Sequence, residues 1–323
     1  MKKEKVIIVG GGPCGLSAAI ELQHTGIDAL VIEKGNIVNA IYNYPTHQTF
    51  FSSSEKLEIG DVPFITENRK PVRNQALAYY REVVKRKQVR IQPFERVLQV
   101  DKQAENQIIV TTSKETYEAE NVIIATGYYD HPNYMNVPGE DLSKVFHYFK
   151  EAHPYFDKDV VVIGGKNSSV DAALELVKCD ARVTVIYRGS DYSPSVKPWI
   201  LPEFEALVRN GTIGMHFNAH VTKITDEAVT YEQEWKEFTI SNDFVFAMTG
   251  YHPDHSFLTK MGVELDDETG RPSFTEETME TNVEGIYIAG VIAAGNNANE
   301  IFIENGRFHG KSIASHIINK NNA

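Results

Sequence analysis

The chain carries no Cys-x-x-Cys pair, and its only two cysteines, Cys14 and Cys179, lie far apart in 323 residues. A disulfide-stapled secreted fold is therefore excluded, and the reducing cytoplasm is the expected setting. No apolar run approaches the ~20 residues that a membrane-spanning helix needs. No signal segment is expected, because an apolar strand begins at Val6, directly after Met1-Lys2-Lys3-Glu4-Lys5. Positive charge is in deficit: 32 Lys and Arg against 44 Asp and Glu give a net charge of -12. That balance argues against nucleic acid and anionic membrane as partners. There is no low-complexity segment, and no metal site is expected. The most charged stretch, Arg81 to Arg90, reads as the solvated side of a helix.

What is present is a repeated unit. The apolar run Val6-Ile7-Ile8-Val9 is followed by Gly10-Gly11-Gly12-Pro13-Cys14-Gly15 and then by a helix-like stretch from Leu16 to Ile20. Strand, Gly-x-Gly-x-x-Gly and helix in that order bind a dinucleotide pyrophosphate. Gly10 allows the tight turn, Gly12 the approach of backbone to phosphate, and Gly15 the close packing of helix on strand. The second unit runs Val160 to Ile163, then Gly164-Gly165-Lys166-Asn167-Ser168-Ser169, then a helix from Val170 to Leu176. Here Lys166 replaces the middle glycine and Ser169 the last. The lysine either places an ammonium beside the cofactor or is simply exposed.

The residue ending the second strand of each unit selects the nucleotide. Glu33, 23 residues after Gly10, accepts hydrogen bonds from a ribose diol and repels a 2'-phosphate. FAD or NAD suits the first unit, with Lys34 beside that acid. In the second unit the same place holds Tyr187-Arg188, and an arginine there clamps a 2'-phosphate. NADPH suits that unit, and Lys197 adds charge. The alternative for Arg188 is a solvated surface residue. Two further strands, Asn121 to Gly127 and Asp243 to Gly250, each end in a Thr-Gly turn.

These paired domains resemble the two-dinucleotide-binding-domain flavoproteins of the thioredoxin-reductase-like group. Gly164 to Asp171 is similar to that group's Gly-Gly-Gly-Asn-Ser-Ala-Val-Glu, and Gly285-Ile286-Tyr287-Ile288-Ala289-Gly290 to its last FAD motif. The resemblance implies an α/β fold of two Rossmann-like, three-layer ββα domains. The NADPH domain (128–252) would be inserted into an FAD domain made of 1–127 and 253–323. Two departures matter. The missing Cys-x-x-Cys excludes the usual dithiol route of thioredoxin reductase, since Cys179 at a helix end reads as structural. Val291 also stands where that motif has an Asp on the flavin ribityl chain.

The whole set, with Asn299 to Gly310, resembles the bacillithiol disulfide reductase family. The resemblance implies FAD, NADPH and a low-molecular-weight thiol disulfide as substrate, in a homo-oligomer. It implies that Gly10, Gly12, Pro13, Cys14, Gly15, Glu33, Lys34, Pro45, His47, Gly127, Gly290, Val291, Glu300 and Ile301 hold FAD. The segments Asn43 to His47 and Phe50 to Ser52 would line the flavin, or serve only as loop and core packing. Gly165, Lys166, Asn167, Ser168, Ser169, Arg188 and Lys197 would hold NADPH. Cys14 is the implied redox residue, through a mixed disulfide. The helix N-terminus beside it favours a thiolate. The other reading of Cys14 is a small residue filling a small space. His47 and His153 are candidate proton sources. A ferredoxin- or flavodoxin-NADP reductase, a flavin monooxygenase and a non-enzymatic redox sensor remain as alternatives.

Overall fold

The computed structural model describes residues 1–321. Contacts divide the chain into two compact units, Met1–His131 with the stretch from His252 onward, and Pro132–Tyr251.

In the first unit β1 (Lys2–Val9) leads through the first glycine loop into α1 (Pro13–His24), and β2 (Leu30–Ile32) returns beside β1 in parallel. The short α2 (Asn39–Tyr42) follows, then the long α3 (Arg73–Lys87), β3 (Ile91–Gln92), and a meander of β4 (Val97–Ala104), β5 (Gln107–Thr112) and β6 (Thr116–Ile124). β6 serves two partners. Its first half pairs antiparallel with β5, while its full length runs parallel to β1. Val6 to Val9 and Val122 to Ile124 are buried, as continuous apolar runs covered on both faces should be. α3 does have the solvated face expected of Arg81 to Arg90. Arg86 pairs with Glu82 on its surface, and the helix ends at a left-handed Gln88.

The second unit opens with β7 (Val145–Phe146), β8 (Asp159–Ile163), α4 (Asn167–Lys178) and β9 (Arg182–Ile186). It continues through α5 (Leu201–Arg209), β10 (Ile213–His216), the hairpin strands β11 (Ala219–Ile224), β12 (Ala228–Gln233) and β13 (Lys236–Ser241), and β14 (Phe244–Ala247). The parallel order is β10-β9-β8-β14-β7. Alternation along β8 splits the core. Val160 and Val162 pack with α4 residues Val170, Ala173 and Leu174, while Val161 and Ile163 pack with Val229 and Tyr231 of β12. Cys179 caps α4, half-buried against the first of these clusters.

The chain then returns to the first unit with α6 (His255–Lys260), β15 (Ile286–Ile288), α7 (Ile303–Gly306) and α8 (His309–Asn321). β15 pairs in parallel with the second half of β6. α8 packs on α1 so closely that a Cβ on Gly310 would lie 2.5 Å from the Ala18 Cα. The α/β architecture of paired Rossmann-like domains expected from the sequence is the one observed.

Candidate functional site

Backbone crowding accounts for two glycines of the first loop. Gly10 adopts φ +112°, and a Cβ there would sit 2.4 Å from the Ala125 carbonyl oxygen at the end of β6. A Cβ on Gly15 would sit 2.1 Å from the Gly10 oxygen, so strand and helix meet with no room for a methyl group. Gly12 is different: its would-be Cβ meets nothing within 4 Å. The loop is open there, and α1 starts at Pro13 with no side chain capping its amides. An uncapped helix N-terminus behind an open glycine suits a pyrophosphate.

Glu33, only 6% exposed, holds this loop in shape. Its carboxylate accepts from the Gly11 N–H at 2.7 Å and from the Gly35 N–H at 2.7 Å. Burial pushes its pKa up, and those two amides oppose the shift. Val38, buried and left-handed at φ 50°, donates to the Gly11 oxygen. That conformation is strained for a β-branched residue and is held by its surroundings. Lys34 is paired with Asp130 at 2.7 Å. After β6, the Thr126 hydroxyl is buried without a protein partner, and Gly127 at φ +71° has open space before it. An orphaned hydroxyl and two open glycines around one loop fit a polar dinucleotide, so the residues present suit FAD.

The last motif closes on the same loop. Gly290 adopts φ +81°, and Val291 starts a short 3-10 turn, Val291–Ala294. The Gly290 N–H donates to His309 Nδ1 at 3.2 Å. The Cys14 Sγ lies 3.1 Å from where a Gly290 Cβ would be, and 3.0 Å from where one on Gly306 would be. Three segments thus meet at the thiol. Ile301 is buried beside Gly306, whereas the Glu300 carboxylate is bound by Arg271 at 2.7 Å on the surface. Pro45 is half-buried, and His47 and His153 are exposed. Tyr44 packs edge-on against Tyr129, and burial raises its pKa.

Two influences act on the Cys14 thiol. The helix N-terminus favours the thiolate, whereas burial, followed by the charge of Glu304, pushes the pKa up to about 12. Glu304 itself accepts a hydrogen bond from Ser52.

The second loop repeats the plan with other side chains. Gly164 takes φ +137°, and its would-be Cβ lies 2.5 Å from the Met248 oxygen. Gly165 is crowded by the Tyr187 ring, 2.4 Å from its would-be Cβ. Ser169 is fully buried where the last glycine is usual, and its hydroxyl donates to the Lys166 oxygen at 2.7 Å. Asn167 is turned toward the following loop: it donates to the Ser195 oxygen and accepts from the Lys197 N–H. It thereby ties Lys197 to the start of α4, beside half-buried Ser168. Lys166 and Arg188 are exposed at the loop. A lysine at the helix N-terminus and an exposed arginine just past β9 suit the phosphates of NADPH.

Sequence reasoning assigned no role to His309, Glu304 or Arg73. The first two lie inside the Asn299–Gly310 motif, but only the folded chain brings them to Gly290 and Ser52. Among the described residues no His, Cys, Asp and Glu group could hold a metal ion, and no helix is long and apolar enough to cross a membrane.

Comparison with known proteins places the chain. It is 76% identical over 323 residues to bacilliredoxin reductase Bdr of Bacillus subtilis, covering all of both chains. The solved bacillithiol disulfide reductase Bdr of Bacillus cereus matches with a TM-score of 0.97 and 74% identity, over 99% of this chain and 100% of that one. Thioredoxin reductase of T. acidophilum, at 22% identity, shares the fold with a TM-score of 0.80 over all of both chains. Residues 7–290 match the pyridine nucleotide-disulphide oxidoreductases, and with a relative this close over its full length, the chain belongs to that family.

Proposed function

We propose that the protein is a cytoplasmic, homo-oligomeric NADPH-dependent FAD enzyme that reduces a low-molecular-weight thiol disulfide, bacillithiol disulfide. The observation that carries this reading is the pair of unlike dinucleotide loops. One is built on a buried carboxylate and the other is edged by Lys166 and Arg188, in a chain with no dithiol. The first loop holds FAD and the second NADPH. Bound FAD supplies the electron chemistry, taking hydride from the nicotinamide and passing two electrons to the disulfide.

The protein's own residues bind and orient. Gly10, Gly12 and Gly15 shape the pyrophosphate turn, Pro13 starts the helix behind it, and Glu33 fixes the loop where the ribose diol binds. Gly127, Gly290, Val291 and Ile301 belong to the segments that close on the loop. The segments around Pro45, His47 and Ser52 line the flavin. Gly165 to Ser169, Arg188 and Lys197 take the phosphates of NADPH.

Cys14 is the redox residue of this reading, placed where the first loop, Gly290 and Gly306 meet. Its thiolate attacks the substrate disulfide, forming a mixed disulfide with one half and releasing the other half as a thiol. The two electrons that bound FAD would supply then return Cys14 and the second half to thiols.

The experiment is anaerobic reduction by NADPH followed by reoxidation with bacillithiol disulfide, cystine and ferredoxin in parallel. Bacilliredoxin joins the series, because the Bacillus subtilis relative is named for it. Bacillithiol disulfide should reoxidise the enzyme fastest, and Cys14→Ser should lower that rate by about a hundredfold with FAD retained. Faster reoxidation by ferredoxin would overturn the substrate class. A rate in Cys14→Ser within about threefold of the unaltered protein would overturn the mixed disulfide and leave Cys14 as a residue filling a small space.

A further inference from the structure

A buried arginine without an acid stands at the start of α3. Arg73 is only 6% exposed, yet no carboxylate lies within ion-pair distance of it among the described residues. A buried charge in that state is costly and is kept only where hydrogen bonds hold it. Its partners are all neutral. One terminal nitrogen donates to the Tyr42 carbonyl and the other to Asn74 Oδ1 at 2.8 Å, while Nε is left unpaired. The guanidinium lies over the Tyr42 ring, 5.3 Å from its centre. The backbone N–H of the same residue donates to the Gln48 carbonyl at 2.8 Å.

Tyr42 and Gln48 bracket the segment 43–47. One residue therefore grips both ends of that loop, by its side chain at the start and by its backbone at the finish. Neighbouring bonds extend the seam: Phe50 donates to Pro71, Ser54 to Arg69, and Thr49 bridges Val72. Only the Tyr42 end depends on the identity of residue 73, because the backbone bond is available to any residue except proline.

We propose that Arg73 is a positioning residue for the flavin-facing loop, holding Asn43 to His47 in the shape that binds FAD and the disulfide. This rests on the reading that the segment lines the flavin. A lysine cannot replace the fork, because its point charge reaches one acceptor where the guanidinium spans two and covers a ring.

The test uses full-length Arg73→Gln and Arg73→Lys, read by amide hydrogen exchange with and without FAD, by FAD affinity, and by steady-state kinetics. In Arg73→Gln, exchange of 43–47 should speed by about tenfold or more, the scale of one charge-assisted hydrogen bond. FAD affinity should fall and KM for the disulfide rise, with KM for NADPH unchanged. Arg73→Lys should recover part of each. The hairpin 228–241 in the other unit serves as the control for folding, and its exchange should not move. Unchanged exchange of 43–47 in Arg73→Gln overturns the clamp. If FAD fails to protect 43–47 in the unaltered protein, the flavin-lining reading fails, and the proposal falls with it for that separate reason.

Discussion

The two glycine loops follow one backbone plan and part at its second residue. At the first glycine they are near copies. Gly10 and Gly164 both have positive φ, and both would drive a Cβ to within 2.4 or 2.5 Å of the carbonyl that follows the neighbouring strand. At the next residue they part. Gly11 is held by the Glu33 carboxylate, while Gly165 lies against the Tyr187 ring. Carboxylate and ring come from the same place, just past the second strand of each unit. The backbone turn is thus a shared mechanical requirement, and the side chain after that strand sets the electrostatics. One loop carries a buried acid, the other an aromatic surface with Arg188 next to it in the chain.

The last glycine offers the sharpest break. A Cβ at Gly15 would meet the Gly10 oxygen at 2.1 Å, whereas Ser169 already has one and buries a satisfied hydroxyl. Gly15→Ala should cost about 3 kcal/mol or more, since backbone must move. The protein should purify with little or no FAD, as the 450 nm flavin band would report. Ser169→Gly should lose about 1 kcal/mol, one hydrogen bond, and still bind NADPH. Equal effects of the two changes would mean that the loops pack alike and the comparison is wrong.

A smaller effect is expected from changing the selecting residue. Glu33→Gln puts an amide where two N–H groups need acceptors, so one is left facing a donor. The loss of a charge-assisted bond, about 2 kcal/mol, predicts roughly thirtyfold weaker FAD binding. Arg188→Ala should raise KM for NADPH by about tenfold to a hundredfold while leaving NADH turnover nearly unchanged. An equal loss with both nucleotides would remove Arg188 from the 2'-phosphate.

Much of this was legible in the chain because local rules govern it. Continuous apolar runs, glycine spacing and the residue after the second strand are properties of short segments, and β1, α1, β8 and α4 formed where those signals lay. What opposes the thiolate at Cys14 was not legible, because the helix N-terminus is local, whereas the packing of Gly290 and Gly306 and the charge of Glu304 come from almost 300 residues away. The pairing of Glu300 with Arg271 depends on a turn that no spacing rule reveals. Arg73 and His309 were invisible for the same reason, since a buried polar residue announces its partner only when the chain is folded.

The prediction most discriminating in sign concerns pH. Burial lowers the pKa of His309 below its ordinary 6.5, and its Nδ1 must stay unprotonated to accept from Gly290. Its contribution is present above pH 6.5 and is lost as pH falls toward the folded value. Behind the second loop, burial and then Glu175 raise Asp171 from 3.8 to about 6. Its contribution is complete below pH 3.8 and is lost as pH rises through about 6. The two units should therefore respond to acid with opposite slopes. His309→Gln keeps an acceptor at every pH, so it should gain on the unaltered protein only below pH 6.5. Asp171→Asn should gain only at neutral pH, by roughly 2–3 kcal/mol at most. Amide exchange of α1 and α4 between pH 5 and 8 reads each unit separately, which a single melting curve cannot do for a two-unit chain. Parallel slopes in the two helices would show that the loops share their electrostatics after all.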